Sequence, residues 1–73
     1  MSLEVITVKG KVVDTPILYV KEARNLASNL VVMLQENAEV YVDPLYVDPE
    51  WYKIETHSYC VGWALRKYIA IKE

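Results

Sequence analysis

The sequence predicts a small all-β fold, and three observations carry the prediction. Valine is the commonest residue at 11, alongside five Ile, six Tyr, two Trp and no Phe. β-branched and aromatic side chains of this kind favour pleated, half-buried strands. Short extended runs alternate with turn signals at close spacing, at Asp14-Thr15-Pro16, Gln35-Glu36-Asn37, Asp43-Pro44, Asp48-Pro49 and Thr56-His57-Ser58. Five to six such strands in a lone flat sheet would leave long edges open, so the pattern points to a small antiparallel barrel.

Size sets the outer bounds. With 73 residues the chain forms one domain, 1–73, too small for the two-lobed architecture of most enzymes. A domain of this length buries only about 60% of its unfolded surface. The single Cys excludes an internal disulfide framework and a multi-Cys zinc site. No apolar run approaches the roughly 18 residues of a membrane-spanning helix. A net charge of −2 argues against a nucleic-acid or anionic-membrane binder, and 53% hydrophobic residues argue against disorder. Met1-Ser2-Leu3-Glu4 has neither a basic start nor a following apolar stretch, so these residues do not read as a secretory signal. Met1–Leu3 reads as a cloning remnant or as native sequence, and the chain as a full protein or an excised domain.

The elements follow in order. Leu3 to Val8 is a candidate strand, with Leu3, Val5 and Thr7 on one face and Glu4, Ile6 and Val8 on the other. Lys9-Gly10-Lys11 breaks it and Val12-Val13 resumes the extended pattern. After the turn at Pro16, Ile17-Leu18-Tyr19-Val20 is a strong short strand. Lys21 to Asn29 holds good helix formers without caps and reads as a structured loop, with room for one helical turn. Leu30–Leu34 and Ala38–Val42 flank Gln35-Glu36-Asn37 as the clearest hairpin, with Leu30, Val32, Leu34, Val40 and Val42 on its core face. Two Asp-Pro steps then make a loop in two bends around Leu45-Tyr46-Val47. Trp51 to Glu55 is a strand, Thr56-His57-Ser58 a turn, and Tyr59-Cys60-Val61 the antiparallel return, continued through Gly62, a candidate bulge or close approach. Leu65 to Tyr68 is one tight helical (3-10) turn, and Ile69-Ala70-Ile71 the last strand.

From Trp51 onward the pattern becomes specific. Trp51-Tyr52-Lys53-Ile54, seven connecting residues, then Gly62-Trp63-Ala64 and Lys67-Tyr68-Ile69 resemble the C-terminal half of bacterial Src-homology-3-like domains, of the type GWYKV…GKTGWV…SYL. Leu18-Tyr19-Val20-Lys21 is similar to that branch's LNVR strand, and Gln35 to Val42 to its KKGTKVTV hairpin. The likeness spans roughly Gly10 to Ile71 and implies an SH3-like barrel. Three departures stand out. The family's RSGPS stretch is here Glu22-Ala23-Arg24-Asn25, its hairpin Gly is Asn37, and the loop before Trp51 is longer and carries Pro44 and Pro49.

The candidate chemistry is sparse. His57 and Cys60 are three apart, which in a strand points them to opposite faces. They read as a turn histidine and a semi-buried cysteine rather than a nucleophilic pair. With one carboxylate they would still lack the count and spacing of a metal site. Ten acids, mostly in turns or on outward positions, read as a solvated surface rather than a glycosidase pair. With only Gly10 and Gly62 there is no phosphate-cradling loop. No cofactor is implied.

Aromatic residues are the better lead, because six Tyr and two Trp exceed what so small a core can bury. If Ile54 is core, alternation turns Trp51 outward and exposes it. The resemblance implies a shallow ligand groove from Tyr19, Trp51, Leu65 and Tyr68, with Trp63, Ala64 and Ile69 as packing positions. It further implies a non-catalytic module that binds a peptide or a peptidoglycan stem or cross-bridge, beside cell-wall hydrolases. Proline-rich peptides fit less well, since the 21–29 loop holds one acid, Glu22. The alternative is an assembly domain of a phage or multi-protein particle, homo-oligomeric or with another protein, touching through Leu45, Tyr46 and Val47. The compartment is extracellular or cell wall beside a hydrolase, and cytoplasmic or virion for a stand-alone domain.

Overall fold

Seven short runs rich in Val, Ile, Leu and Tyr are extended in the computed structural model, which describes residues 8–46 and 48–72. They are β1 (Val8–Val12), β2 (Ile17–Lys21), β3 (Leu30–Gln35), β4 (Glu39–Val42), β5 (Trp51–Glu55), β6 (Val61–Leu65) and β7 (Ile69–Ile71). One 3-10 turn, η1 (Arg66–Tyr68), separates β6 from β7. All pairings are antiparallel, in the order β3-β2-β6-β5-β4-β1-β7. The all-β class and the helical turn after Leu65 are as the sequence predicts; the strand count is seven rather than five or six.

Alternation places the core. Val12, Leu18, Val20, Val40, Val42, Ile54, Ala64 and Ile69 form one buried cluster, and Val31, Val32 and Leu34 of β3 pack against it. All seven strands therefore contribute to one core, which a flat sheet cannot arrange; the sheet must bend round it. β5 and β6 pair without slip from Trp51↔Leu65 to Glu55↔Val61, so Tyr52, Ile54, Gly62 and Ala64 face inward and Trp51, Lys53, Trp63 and Leu65 face outward.

Both glycines are sites of close approach rather than breaks. Lys9-Gly10-Lys11, expected to interrupt the chain, lies inside β1, and residues 1–7 of the expected first strand lie outside the described residues. Gly10 is buried, and a Cβ there would sit 2.9 Å from Ile69 Cγ2. At Gly62 a Cβ would sit 2.6 Å from Val20 Cγ1 and 2.7 Å from the Lys21 carbonyl oxygen. The register through Gly62 is regular, so close packing of β2 on β6, not a bulge, demands the glycine.

The expected hairpin between 30–34 and 38–42 is corrected. A tight turn does form there, with Ala38 N–H donating to the Gln35 carbonyl at 3.1 Å and Asn37 at φ 72°. Its arms, however, pair elsewhere: β3 with β2, and β4 with β1 and β5. The turn's own N–H groups explain this. Glu36 donates to the Pro16 carbonyl and Asn37 to the Val12 carbonyl, so the turn is fastened to the β1–β2 corner instead of closing a ladder. Leu30, expected in the core, is accordingly 46% exposed.

Loops are ordered by local polar bonds. In the 21–29 loop, Asn25 Oδ1 accepts from Ala27 N–H and Ser28 Oγ donates to the Ala23 and Asn25 carbonyls; the chain bends and turns without a helix. The two Asp-Pro bends are Asx turns: Asp43 Oδ1 accepts from Leu45 N–H, and Asp48 Oδ1 from Glu50 N–H. Between β5 and β6, Thr56 exchanges backbone bonds with Tyr59 and Cys60, and Tyr59 takes φ 65°. Tyr59 therefore belongs to the turn, and β6 begins only at Val61.

Candidate functional site

Asp48 organises the most densely cross-linked surface of the described residues. Its Oδ1 accepts from Glu50 N–H at 2.9 Å and Trp51 N–H at 3.0 Å, which folds the loop end back onto the start of β5. Its Oδ2 pairs with Arg24 at 3.0 Å, tying the 21–29 loop to the 43–50 loop. Its carbonyl accepts from Arg66 Nη1 at 2.6 Å, tying in η1. The Glu50 N–H above all holds the Asp48 carboxyl below the usual carboxylate range; desolvation, the next largest effect, opposes it, and the Trp51 N–H and Arg24 add to the lowering.

Around that anchor cations and rings interleave. The Arg24 guanidinium lies 5.0 Å over Trp63, the Tyr46 ring meets Trp63 edge-on at 5.7 Å, and Lys53 Nζ lies 4.1 Å from the Tyr46 centroid. These distances fall within cation–π and aromatic-pair range. Lys53 and Trp63 are direct cross-strand partners, as are Trp63 and Lys21, so β5, β6 and β2 carry the row across one face. On the other side of the loop the Arg66 guanidinium lies 4.8 Å over Tyr52. Arg66 also forms the shared wall of two shallow hollows. One, of about 270 Å³, lies against Pro49 and Leu65; the other, of about 180 Å³, lies against Pro44, Tyr46 and Tyr52.

The four expected groove residues do not form one exposed set. Trp51 does point away from Ile54, but only 7% of it is exposed, so the expectation of an open ring there is overturned. Alternation gives a side chain's direction and says nothing of what lies that way. Here Leu65 stands opposite Trp51, and the Asp48–Glu50 loop end and η1 meet beside it, Arg66 N–H donating to the Glu50 carbonyl. Leu65 is half-buried at the edge of the larger hollow. Tyr68 is half-buried against the core cluster and Tyr19 is 51% exposed on β2 opposite Met33, away from the Asp48 anchor's own contacts.

Of the expected packing positions, Ala64 and Ile69 are buried, whereas Trp63 is a half-buried ring on the outer face. The flanking small residues Gly62 and Ala64, both inward, were the signal that Trp63 faces out. Asp48-Pro49 is marked as a turn, but nothing local marks the pairing of Asp48 with Arg24, 24 residues away. Of the expected assembly contacts, Leu45 is 86% and Tyr46 46% exposed; Val47 lies outside the described residues.

His57 and Cys60 engage different neighbours. The His57 ring meets Tyr41 edge-on at 5.3 Å, in a hollow that also touches Glu55 and Tyr59, while Cys60 Sγ lies 3.8 Å from Ser58 Oγ.

No protein-family model, no curated protein and no solved structure matches the chain.

Proposed function

We propose that the chain is a non-catalytic binding module for a peptide or peptidoglycan-type cell-wall ligand, held at the Arg24–Trp63–Tyr46–Lys53 surface and the adjoining Arg66 hollows. The carrying observation is the interleaving of rings and cations on an outer face between two loops. Tyr and Trp offer rigid area at small entropic cost, and Arg and Lys offer donors to a carboxylate. A peptide with free carboxylates, such as a wall stem peptide, matches that pairing. The element order adds support. A β5–β6 hairpin, a 3-10 turn and a last strand follow one another in the order that the Src-homology-3 resemblance implies for the C-terminal half. Relative to that resemblance, the binding surface moves from Trp51 to Trp63 and Tyr46, with Leu65 retained.

Titration of wild-type protein with purified peptidoglycan and with peptide libraries tests the reading. Trp63→Ala and Tyr46→Ala should each weaken binding about tenfold or more, the usual cost of losing an aromatic anchor, with a native circular dichroism spectrum. Cys60→Ser and His57→Ala should leave binding unchanged. Wild-type protein that ignores both ligand classes defeats the proposal.

A second reading, an assembly domain touching through the 43–50 loop, draws on Leu45, 86% exposed at the loop's first bend. In that case Leu45→Ser should dissolve an oligomer seen by light scattering.

A further inference from the structure

β3 stands at one end of the described sheet, paired with β2 alone. An edge strand presents N–H and C=O groups with no ladder partner, and proteins usually blunt such edges with Lys, Pro or extreme shortness. β7, at the other end, is three residues long and followed by Lys72. β3 is six residues long, and its sequence LVVMLQ carries no charge, Pro or Gly. The β2–β3 register slips between Val20 and Lys21, which confines irregularity to the start of β3 and leaves Val32–Gln35 regular. On the outer side of that regular stretch, Tyr19 and Met33 are direct cross-strand partners and are 51% and 55% exposed.

We propose that β3 is a self-association edge: two copies of this chain pair β3 to β3, antiparallel, about a two-fold axis through Met33. The charge pattern selects both occupant and direction. A neutral strand meets a second neutral strand without like charges in register. Glu36 follows β3 directly. Antiparallel pairing centred on Met33 sets Glu36 opposite Leu30 of the second copy and keeps the two Glu36 carboxylates at opposite ends. Parallel pairing would stack them, a destabilising arrangement. The two-fold also joins the outer rows into one run, Tyr19–Met33 of one copy continuing into Met33–Tyr19 of the other, uncharged at the axis and flanked at each far end by Lys21, whose Nζ lies 5.9 Å from the Tyr19 centroid. No residue of the Arg24–Trp63–Tyr46–Lys53 surface takes part, so this interface is independent of ligand binding.

Light scattering on the full chain, over a series from micromolar to millimolar, should show the mass rising from 8.4 kDa toward twice that value. Met33→Lys places two ammonium groups face to face at the axis and should weaken the dimer at least tenfold, with the strand signal in circular dichroism retained. Independently, Met33→Cys in a Cys60→Ser background should oxidise to a covalent dimer. Paired residues across an antiparallel ladder have Cα atoms about 4.5–5.5 Å apart, inside the disulfide range of about 4.4–6.8 Å. Leu45→Cys in the same background should not cross-link. A wild-type monomer at millimolar concentration with no Met33→Cys cross-link overturns the proposal. So does a dimer that Met33→Lys leaves intact and Leu45→Ser dissolves, which would move the contact to the 43–50 loop.

Discussion

The β2–β3 and β5–β6 hairpins are built on the same alternation of inward and outward residues, yet they carry opposite surfaces. Outside β5–β6, the outward residues are roofed and cross-linked. Asp48 gathers Arg24, Arg66 and two backbone N–H groups, and Trp63 is bracketed by Arg24 and Tyr46. Outside β2–β3, Ile17, Tyr19 and Met33 stand 43%, 51% and 55% exposed, and their neighbours on β3 carry no charge. The inward sides differ too. β5–β6 gives the core Ile54 and Ala64, 1% and 0% exposed, and leaves room for β2 only because residue 62 has no side chain. β3 supplies half-buried residues that pack on the rim of the cluster. Both hairpins form by the same alternation, while the use of each surface is set by what the loops bring to it.

The largest expected effect contrasts the two hairpins directly. Ile54→Ala should lower stability by about 2–5 kcal/mol, the range for deleting a fully buried aliphatic side chain, which is a large share of a small domain's total. Leu34→Ala, in half-buried β3, should cost distinctly less, because its site is already partly solvated. Urea midpoints of the two variants compare them. Equal losses would mean that β3 belongs to the core as fully as β5.

Next comes the close approach between the hairpins. Gly62→Ala forces a methyl against the Lys21 carbonyl oxygen, a backbone atom that cannot swing aside. The expected loss is about 1–3 kcal/mol, as for other overpacked sites. A smaller urea shift than for Gly10→Ala would put the tighter contact at β1–β7 instead, where a movable Ile69 methyl is the nearest atom.

The smallest effect sharpens the account of the cross-linked surface. Asp48 is held below the ordinary carboxylate range, which is about 3.9 when unperturbed. A depressed carboxyl contributes stability that is present in full above its unfolded pKa and is lost as the pH falls through the folded one. The gap in thermal midpoint between wild type and Asp48→Asn should therefore be constant from pH 8 to pH 5 and close in more acidic solution. A gap that persists at the acid end would mean that the carboxylate charge is not what joins the loops.

Much of this was legible along the chain. The strands at 17–21, 51–55 and 69–71, both Asp-Pro bends and the helical turn after Leu65 follow from alternation and turn chemistry, which act over a few residues. The Gln35–Ala38 turn was legible and its consequence was not. Asn37 reports a reversal, but the choice of β2 as partner for β3 rests on Pro16 and Val12 carbonyls that reach the turn from elsewhere. Trp51 and Trp63 show the same division within the candidate site. Both point outward, and only the path of the 43–50 loop and η1 leaves one 7% exposed and the other open to Arg24 and Tyr46.

By itself, the sequence determined that this chain is all-β, where most of its strands and turns lie, and which face of β2 and β5 is apolar, because those properties depend on neighbours one to four positions away. The tertiary structure alone decided which strands pair, that Gly10 and Gly62 sit at close contacts, and that Arg24, Asp48 and Arg66 meet beside Trp63 and Tyr52. Those contacts join residues separated by tens of positions, and they become favourable only once the sheet has bent far enough to bring the loops together.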